Sequence, residues 1–289
     1  MVLIWGTTWA VIRIGLASFP PFAGVALRFG IAALILLGVG RVWRVPNQRG
    51  PRLYRIWFVE TVFSLCIPYG VVYWAEQWVP SGLGSILFAT MPLFVAVLAH
   101  WWLVSEPLRA VEIAGILVAV CGVGFIFSDD LTFAARPEVL IPAVVFLASP
   151  LAAAVAHVLI KRWGRGIHPL NVVTVPMAVT GVVMGALSLA VESDREFTFG
   201  LLGIGSVLYL AVLGSALAFT LYYWVLDRVA ATRLSLLTLG IPVVAVLVGT
   251  LALGEPFSAR IAFGAALVLA GVGCASRAIP SVPRRDDCS

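Results

Sequence analysis

Ionisable side chains are rare inside the apolar stretches of this chain, so each one needs a reason. Arg28 sits in the run "ALRFGIAALIL". A charge within a bilayer is costly unless it faces a cavity or a partner. A guanidinium there either grips a carboxylate in a bidentate pair or serves a structural role against backbone carbonyls. Glu60 begins a later apolar run. It either pairs with Arg52 or Arg55 at the membrane surface or is a buried carboxyl that carries a coupling proton. Glu76, beside Gln77, closes the same run. It is either solvated at the interface or part of an outer gate that meets a substrate amine. His100 is a second proton-coupling candidate, with a neutral hydrogen-bonded imidazole as the alternative, and His157 has the same two readings.

The hydroxyl-bearing and aromatic residues suggest binding more than catalysis. Tyr69, Tyr73 and Glu76 are spaced by four and three and share one helix face. Tyr222 and Tyr223 occupy a comparable place later in the chain. Trp5 and Trp9 also share a face. Ser85, Thr90 and Pro92 fall in one apolar segment, and Ser235, Thr238 and Pro242 in another. An aromatic pocket with few polar groups suits a small metabolite; ordinary interhelical packing is the alternative. No catalytic constellation stands out. The four cysteines form no CxxC pair and the three histidines lack ligand spacing, so no metal is expected. A phosphate-binding GxxxxGK[ST] stretch is also missing.

The elements that carry these residues are membrane helices. Of 289 residues, 61% are hydrophobic and 11% charged, against about 25% charged in soluble domains. Mean hydropathy is +1.05. Ten apolar runs can be counted, at about 2–18, 22–40, 56–77, 82–104, 109–127, 138–160, 169–191, 200–226, 230–253 and 260–278. Each approaches the ~20 residues that cross a bilayer core, and the alternating pattern of a β-barrel is missing. The expected fold class is all-α and integral to the membrane, with ten transmembrane helices. The first run begins at Val2 with no basic residue ahead of it, so no cleavable signal peptide is expected.

Charge orients the spans. With the N-terminus in the cytoplasm, inside loops and the tail hold fourteen of the 19 basic residues, and outside loops hold four: Arg13, Arg136, Arg195 and Arg260. That bias follows the positive-inside rule and predicts both termini in the cytoplasm. It also accounts for the net charge of +5 without a nucleic-acid partner.

The chain repeats itself. Tyr73-Trp74 and Pro92 recur as Tyr223-Trp224 and Pro242 at an offset of 150; Glu106-Pro107, Gly115, Gly122 and Gly124 recur at 149, the acid–proline pair as Glu255-Pro256; Arg13 and Pro21 recur as Lys161 and Pro169 at 148. Five spans per copy is an odd number, so the second copy enters from the opposite side. Such 5+5 inverted repeats recur in transporters. The predicted units are 1–130, 138–278 and a cytoplasmic tail, 279–289. Glu106, Pro107, Glu255 and Pro256 are expected to form structural turns that start a helix, and the glycines that follow them are expected to let spans five and ten pack closely.

The segments "WGTTWAVIRIGL", "ALRFGIAALIL" and "YWAEQWVPSGLGSILFATMPLF", with the acid–proline–glycine signature of each half, resemble the EamA-like permeases of the drug/metabolite transporter superfamily. The resemblance covers nearly the whole chain. It implies an inner-membrane secondary transporter that exports amino acids, related metabolites or drugs by alternating access. It implies no prosthetic group and no nucleotide-binding domain. The implied partners are a small-molecule substrate, the lipid bilayer, and a proton or counter-substrate. Trp9, Arg28, Tyr69, Tyr73, Glu76, Ser85, Thr90, Tyr222, Tyr223 and Thr238 are the pathway candidates. The rival readings are a membrane-embedded lipid-modifying enzyme and a non-transporting scaffold.

Overall fold

The structure is a computed structural model that describes residues 1–79, 81–103, 109–126, 137–244 and 259–278. The described residues are helical apart from short connections, and they contain no strand. They form ten apolar helical segments. α1 is Val2–Leu16, α2 Pro21–Val42 and α3 Pro51–Ala75. α4 has two pieces, Ser81–Phe88 and Met91–Trp102, and α5 is Ala110–Ile126. α6 also has two, Pro137–Phe146 and Ala148–Trp163. α7 is Pro169–Val191, α8 Leu201–Leu226, α9 Ala231–Val244 and α10 Ala259–Ala278. Five of these, α2, α3, α6, α7 and α8, are long and apolar enough to cross a membrane, at 22 to 26 residues. Leu34, Val182, Leu189 and Leu201 are exposed on the outside of the bundle, where they meet lipid. The chain is a multi-pass membrane protein.

Prolines shape the helices. The expected spans 82–104 and 138–160 are each broken, and a proline follows each break. Pro92 lies at the start of the second piece of α4, and Pro150 three residues past the break at Leu147. Neither has an N–H for the helical ladder. In α3, Pro68 follows a π-helical stretch, Glu60–Cys66. Its missing N–H would have bonded the Ser64 carbonyl, and its ring crowds that carbonyl, so the turn widens. α8 carries a second π-helical stretch, Leu210–Leu217, with small residues Gly214 and Ser215 inside it.

Small residues bring the helices together. α5 and α10 are the most closely packed pair. A Cβ on Gly115 would lie 2.7 Å from the Ala275 nitrogen, and one on Gly122 would lie 2.7 Å from the Gly264 carbonyl. Gly115 and Gly122 thus serve the contact expected of them, whereas a Cβ on Gly124 or Gly273 would meet nothing within 4 Å. Along α2 and α7, a Cβ on Gly181 would come within 3.0 Å of the Gly30 nitrogen. Ala266 and Ala270 face outward. Glu106, Pro107, Glu255 and Pro256 lie outside the described residues.

The connections gather at two ends. At one, Arg13 Nη1 donates to the Glu76 carbonyl at 2.8 Å, Arg195 to Gln77 Oε1 at 2.8 Å, and the Thr198 N–H to the Ser18 carbonyl at 2.9 Å. Glu192 reaches across from the end of α7 and accepts from the Phe22 and Ala23 N–H groups at 3.0 and 3.1 Å. It caps the α2 N-terminus, whose own N-cap, Pro20, has no side chain for the task. At the other end, Arg52 donates to the carbonyls of Trp163 and Arg165. Gln48 Oε1 accepts from the His168 N–H at 3.0 Å and from Asn171 at 3.1 Å, and Lys161 Nζ donates to the Leu226 carbonyl at 2.6 Å. α1 ends in the first set and α6 in the second.

Candidate functional site

A cavity of ≈ 80 Å³ lies in the middle of the bundle, walled by α1, α3, α4, α6, α8 and α9. At ~15 Å³ per site it has room for roughly five waters. Its wall is mainly aromatic and aliphatic. Of the candidates named from the sequence, Trp9, Tyr69, Tyr222 and Thr238 line it, and so does Trp5. Among the described residues, no Asp, Glu, Lys or Arg is part of the lining. The polar side chains in the lining are hydroxyl-bearing (Thr8, Ser64, Tyr69, Ser149, Tyr222 and Thr238), one imidazole, His157, and the indoles of Trp5 and Trp9. Ser149 Oγ is buried and has no hydrogen-bond partner among the described residues, so it is available to a ligand that enters. Pairing it would remove the cost of a buried, unsatisfied hydroxyl.

The aromatic wall holds two groups of touching rings, one around Trp5 and one around Trp9. Trp5 lies 5.8 Å from Phe219 and 5.5 Å from Tyr222, and Trp9 lies 6.0 Å from Phe88, centroid to centroid. His157 Nδ1 and the Tyr222 hydroxyl are 2.9 Å apart, which satisfies the imidazole inside the bundle. Of the two open readings of His157, the hydrogen-bonded one describes its position.

Arg28 stands behind this wall. It is 1% exposed. Its Nε donates to Ser215 Oγ at 2.7 Å and its Nη2 to the Gly214 carbonyl at 3.2 Å. Both acceptors belong to the π-helical stretch of α8. A longer contact of 3.5 Å joins Nη1 to the Tyr73 hydroxyl, and the guanidinium lies over the Tyr69 ring at 4.5 Å. Trp5 Nε1 also donates to the Gly214 carbonyl, at 3.2 Å. Among the described residues Arg28 has no carboxylate partner. It meets the lining at Tyr69, whose ring face it stacks on, and shares the Gly214 carbonyl with Trp5.

Glu60 is buried, and its Oε2 accepts from the Tyr223 hydroxyl. Ser64 Oγ lies 3.4 Å from the same hydroxyl. Glu60 Oε1 has no hydrogen-bond partner among the described residues. The expected pairing with Arg52 or Arg55 does not form, because Arg52 is committed to the carbonyls at the end of α6. Glu76 is likewise buried, with neither carboxylate oxygen hydrogen-bonded among the described residues, so interfacial solvation does not describe it. The contact at this residue is made by its backbone carbonyl, with Arg13.

The remaining candidates scatter. Tyr73 and Tyr223 are buried beside Arg28 and Glu60 and do not line the cavity. Ser85 is buried in α4 away from the lining. The Thr90 hydroxyl donates to the Leu87 carbonyl at 2.7 Å. His100 is exposed in the last turn of α4, outside the cavity. Sequence reasoning passed over Ser64, Ser149, Thr8 and Phe219. Ser64 could have been found, since it falls four residues after Glu60 on the same helix face. Ser149 carried no such signal.

A multi-pass helical bundle that encloses a small polar-and-aromatic cavity between both portions of the chain has the form of a membrane transporter. The chain belongs to the EamA-like transporter family, whose sequence model matches residues 1–128 and again 140–277. It is 26% identical over 279 residues to the uncharacterized transporter YoaV of Bacillus subtilis, covering 94% of this chain and 92% of that one. It is 30% identical over 264 residues to the uncharacterized inner membrane transporter YedA of Escherichia coli, covering 89% and 82%. Protein PagO of Salmonella typhimurium is 28% identical over 247 residues, covering 84% and 80%. A crystal structure at 20% identity superposes with a TM-score of 0.80 over 96% of this chain and 95% of the other, a likeness of fold.

Proposed function

We propose that the protein is a secondary active exporter of small metabolites, in the class of amino acids, related compounds or drugs. It resides in the inner membrane with both termini in the cytoplasm. The halves 1–130 and 138–278 form an inverted repeat and rock about the cavity, so that it opens to one side at a time. The observation that carries this reading is the cavity itself. Trp5, Trp9 and Tyr69 come from one half and Ser149, His157 and Tyr222 from the other, as midplane sites between repeats are built. The ending of α1 and α6 in opposite sets of connections supports the inversion. The printed description of YedA as an inner membrane protein supports the location.

Coupling is to protons, and Glu60 is the carrier. Its carboxyl touches Tyr223 of the opposite half, and its second oxygen has no hydrogen-bond partner among the described residues. A proton there changes whether the Tyr223 hydroxyl meets a charged or a neutral acceptor. His100, outside the cavity, has no part in this reading. The test is flux in proteoliposomes, using the metabolites that differ between the media of overexpressing and deletion cells. Uptake or release that follows an imposed pH gradient is expected. Flux indifferent to any gradient would argue for a facilitator, and no flux of any differing metabolite would argue against transport.

A further inference from the structure

Two cations at matched positions make the same contact at opposite ends of the bundle. Arg13 closes α1 and Lys161 closes α6, 148 residues later. Arg13 donates to the backbone carbonyl of Glu76, at the end of α3, at 2.8 Å. Lys161 donates to the backbone carbonyl of Leu226, at the end of α8, at 2.6 Å. Glu76 and Leu226 are 150 residues apart. The acceptors are main-chain oxygens at helix C-termini, where the macrodipole favours a cation. The unlike side chains Glu and Leu are therefore no obstacle to the same bond.

The position of the two bonds relative to the cavity gives them a role. Trp9, Val72, His157 and Tyr222 all line it. Each stands four residues before a bonded residue: Arg13, Glu76, Lys161 and Leu226 in turn. Ile12, next to Arg13, lines the cavity too, so each bond sits at the rim of the wall, no more than about one helical turn, roughly 6 Å, from a lining residue. The packing adds a second point. α1 lies chiefly on α8, while α6 lies chiefly on α3 and α4. The α1 and α3 backbones pack only sparsely on one another, as do those of α6 and α8. Each bond thus joins the α1–α8 pair to the α3–α6 pair, one bond at each end.

We propose that Arg13 and Lys161 are the latches of the two gates: the Arg13–Glu76 bond seals the cavity at one face, the Lys161–Leu226 bond seals it at the other, and transport breaks them in turn. This rests on the alternating-access reading above. The test needs no known substrate. In a chain whose four cysteines are replaced by alanine, Ser149→Cys reports from the cavity wall. Its labelling by a membrane-impermeant thiol reagent is measured separately at the two faces of oriented vesicles. Arg13→Gln should raise labelling at the Glu76 face relative to the other by about fivefold or more, and Lys161→Gln should do the reverse. Arg13→Lys and Lys161→Arg should keep the parent ratio. A short cross-link between Arg13→Cys and Gln77→Cys, in the same background, should close the Glu76 face alone; this arm also serves if either Gln variant fails to reach the membrane. Both Gln variants shifting labelling to the same face, or an unchanged ratio in folded protein, would overturn the latches while leaving alternating access standing. Equal labelling at both faces in the parent and all variants would overturn both.

Discussion

α3 and α8 can be laid over one another, and the result separates backbone from chemistry. Each contains a π-helical stretch, starting at Glu60 in one and at Leu210 in the other, 150 residues apart. Each stretch is gripped by a helix of the other portion of the chain: α7 packs on the first and α2 on the second. Thirteen residues past each start stands a tyrosine, Tyr73 or Tyr223. Here the likeness ends. Tyr223 meets the Glu60 carboxyl, while Tyr73 meets Arg28 at 3.5 Å. The α2 contact is a guanidinium on Ser215 and Gly214, whereas the matching α7 contact is Thr180 against Cys66 at 3.7 Å. A repeated frame therefore holds an acid on one side and a base on the other. The frame supplies wide turns and free acceptors at two places; the substitutions decide what binds there.

This asymmetry can be broken from either side. The largest effect is expected at the acid. Glu60→Gln keeps the shape and a hydrogen-bonding group for Tyr223 but fixes the charge, so gradient-driven flux should vanish while folded protein stays at the membrane. Retained pH-gradient dependence, measured in proteoliposomes, would remove Glu60 from coupling. On the basic side, Arg28→Ala removes the donor to Ser215 Oγ and leaves the Gly214 carbonyl to the Trp5 indole alone. It should cost about 3 kcal/mol, since hydrogen bonds to charged groups are the strong ones, and thermal unfolding in detergent reads the loss. An unfolding temperature equal to that of the parent would mean that Arg28 does not hold α2 on α8.

The two tyrosines sharpen the comparison further. Tyr223→Phe leaves Glu60 with no hydrogen bond from α8 and should cost about 2 kcal/mol, whereas Tyr73→Phe loses only a long contact and should cost less than about 0.5 kcal/mol. Equal losses in the same unfolding assay would make the two sites alike after all. The smallest effect concerns how matched helices are capped. The α2 N-terminus is capped by Glu192 from α7, but the α7 N-terminus is capped by its own His168, whose Nδ1 accepts from the Leu170 N–H at 3.2 Å. Burial holds the His168 imidazole below its ordinary pKa, and protonation would abolish the acceptor. Its contribution is thus fully present above the ordinary histidine pKa of about 6.5 and is lost as pH falls from there through the lower pKa of the folded state. His168→Ala should cost about 0.5 kcal/mol at pH 8 and less at pH 5.5, as measured by thermal unfolding at each pH.

The amino-acid sequence by itself determined the membrane class, the succession of apolar helices and the glycines that seat α5 on α10. These follow from composition, run length and spacing along one helix, which are local quantities. It also singled out Arg28 and Glu60, because a charge in an apolar run is conspicuous wherever the run folds. Only the tertiary structure decided what those charges touch. Arg28 could have faced an anion, yet it is held by a hydroxyl and a carbonyl 186 and 187 residues away. Glu60 could have paired with a neighbouring arginine, yet it bonds a tyrosine 163 residues away. The bonds of Arg13 and Lys161 were beyond the sequence for a further reason. Their acceptors are main-chain carbonyls, which every residue carries, so no residue type marks the place where the chain will offer one.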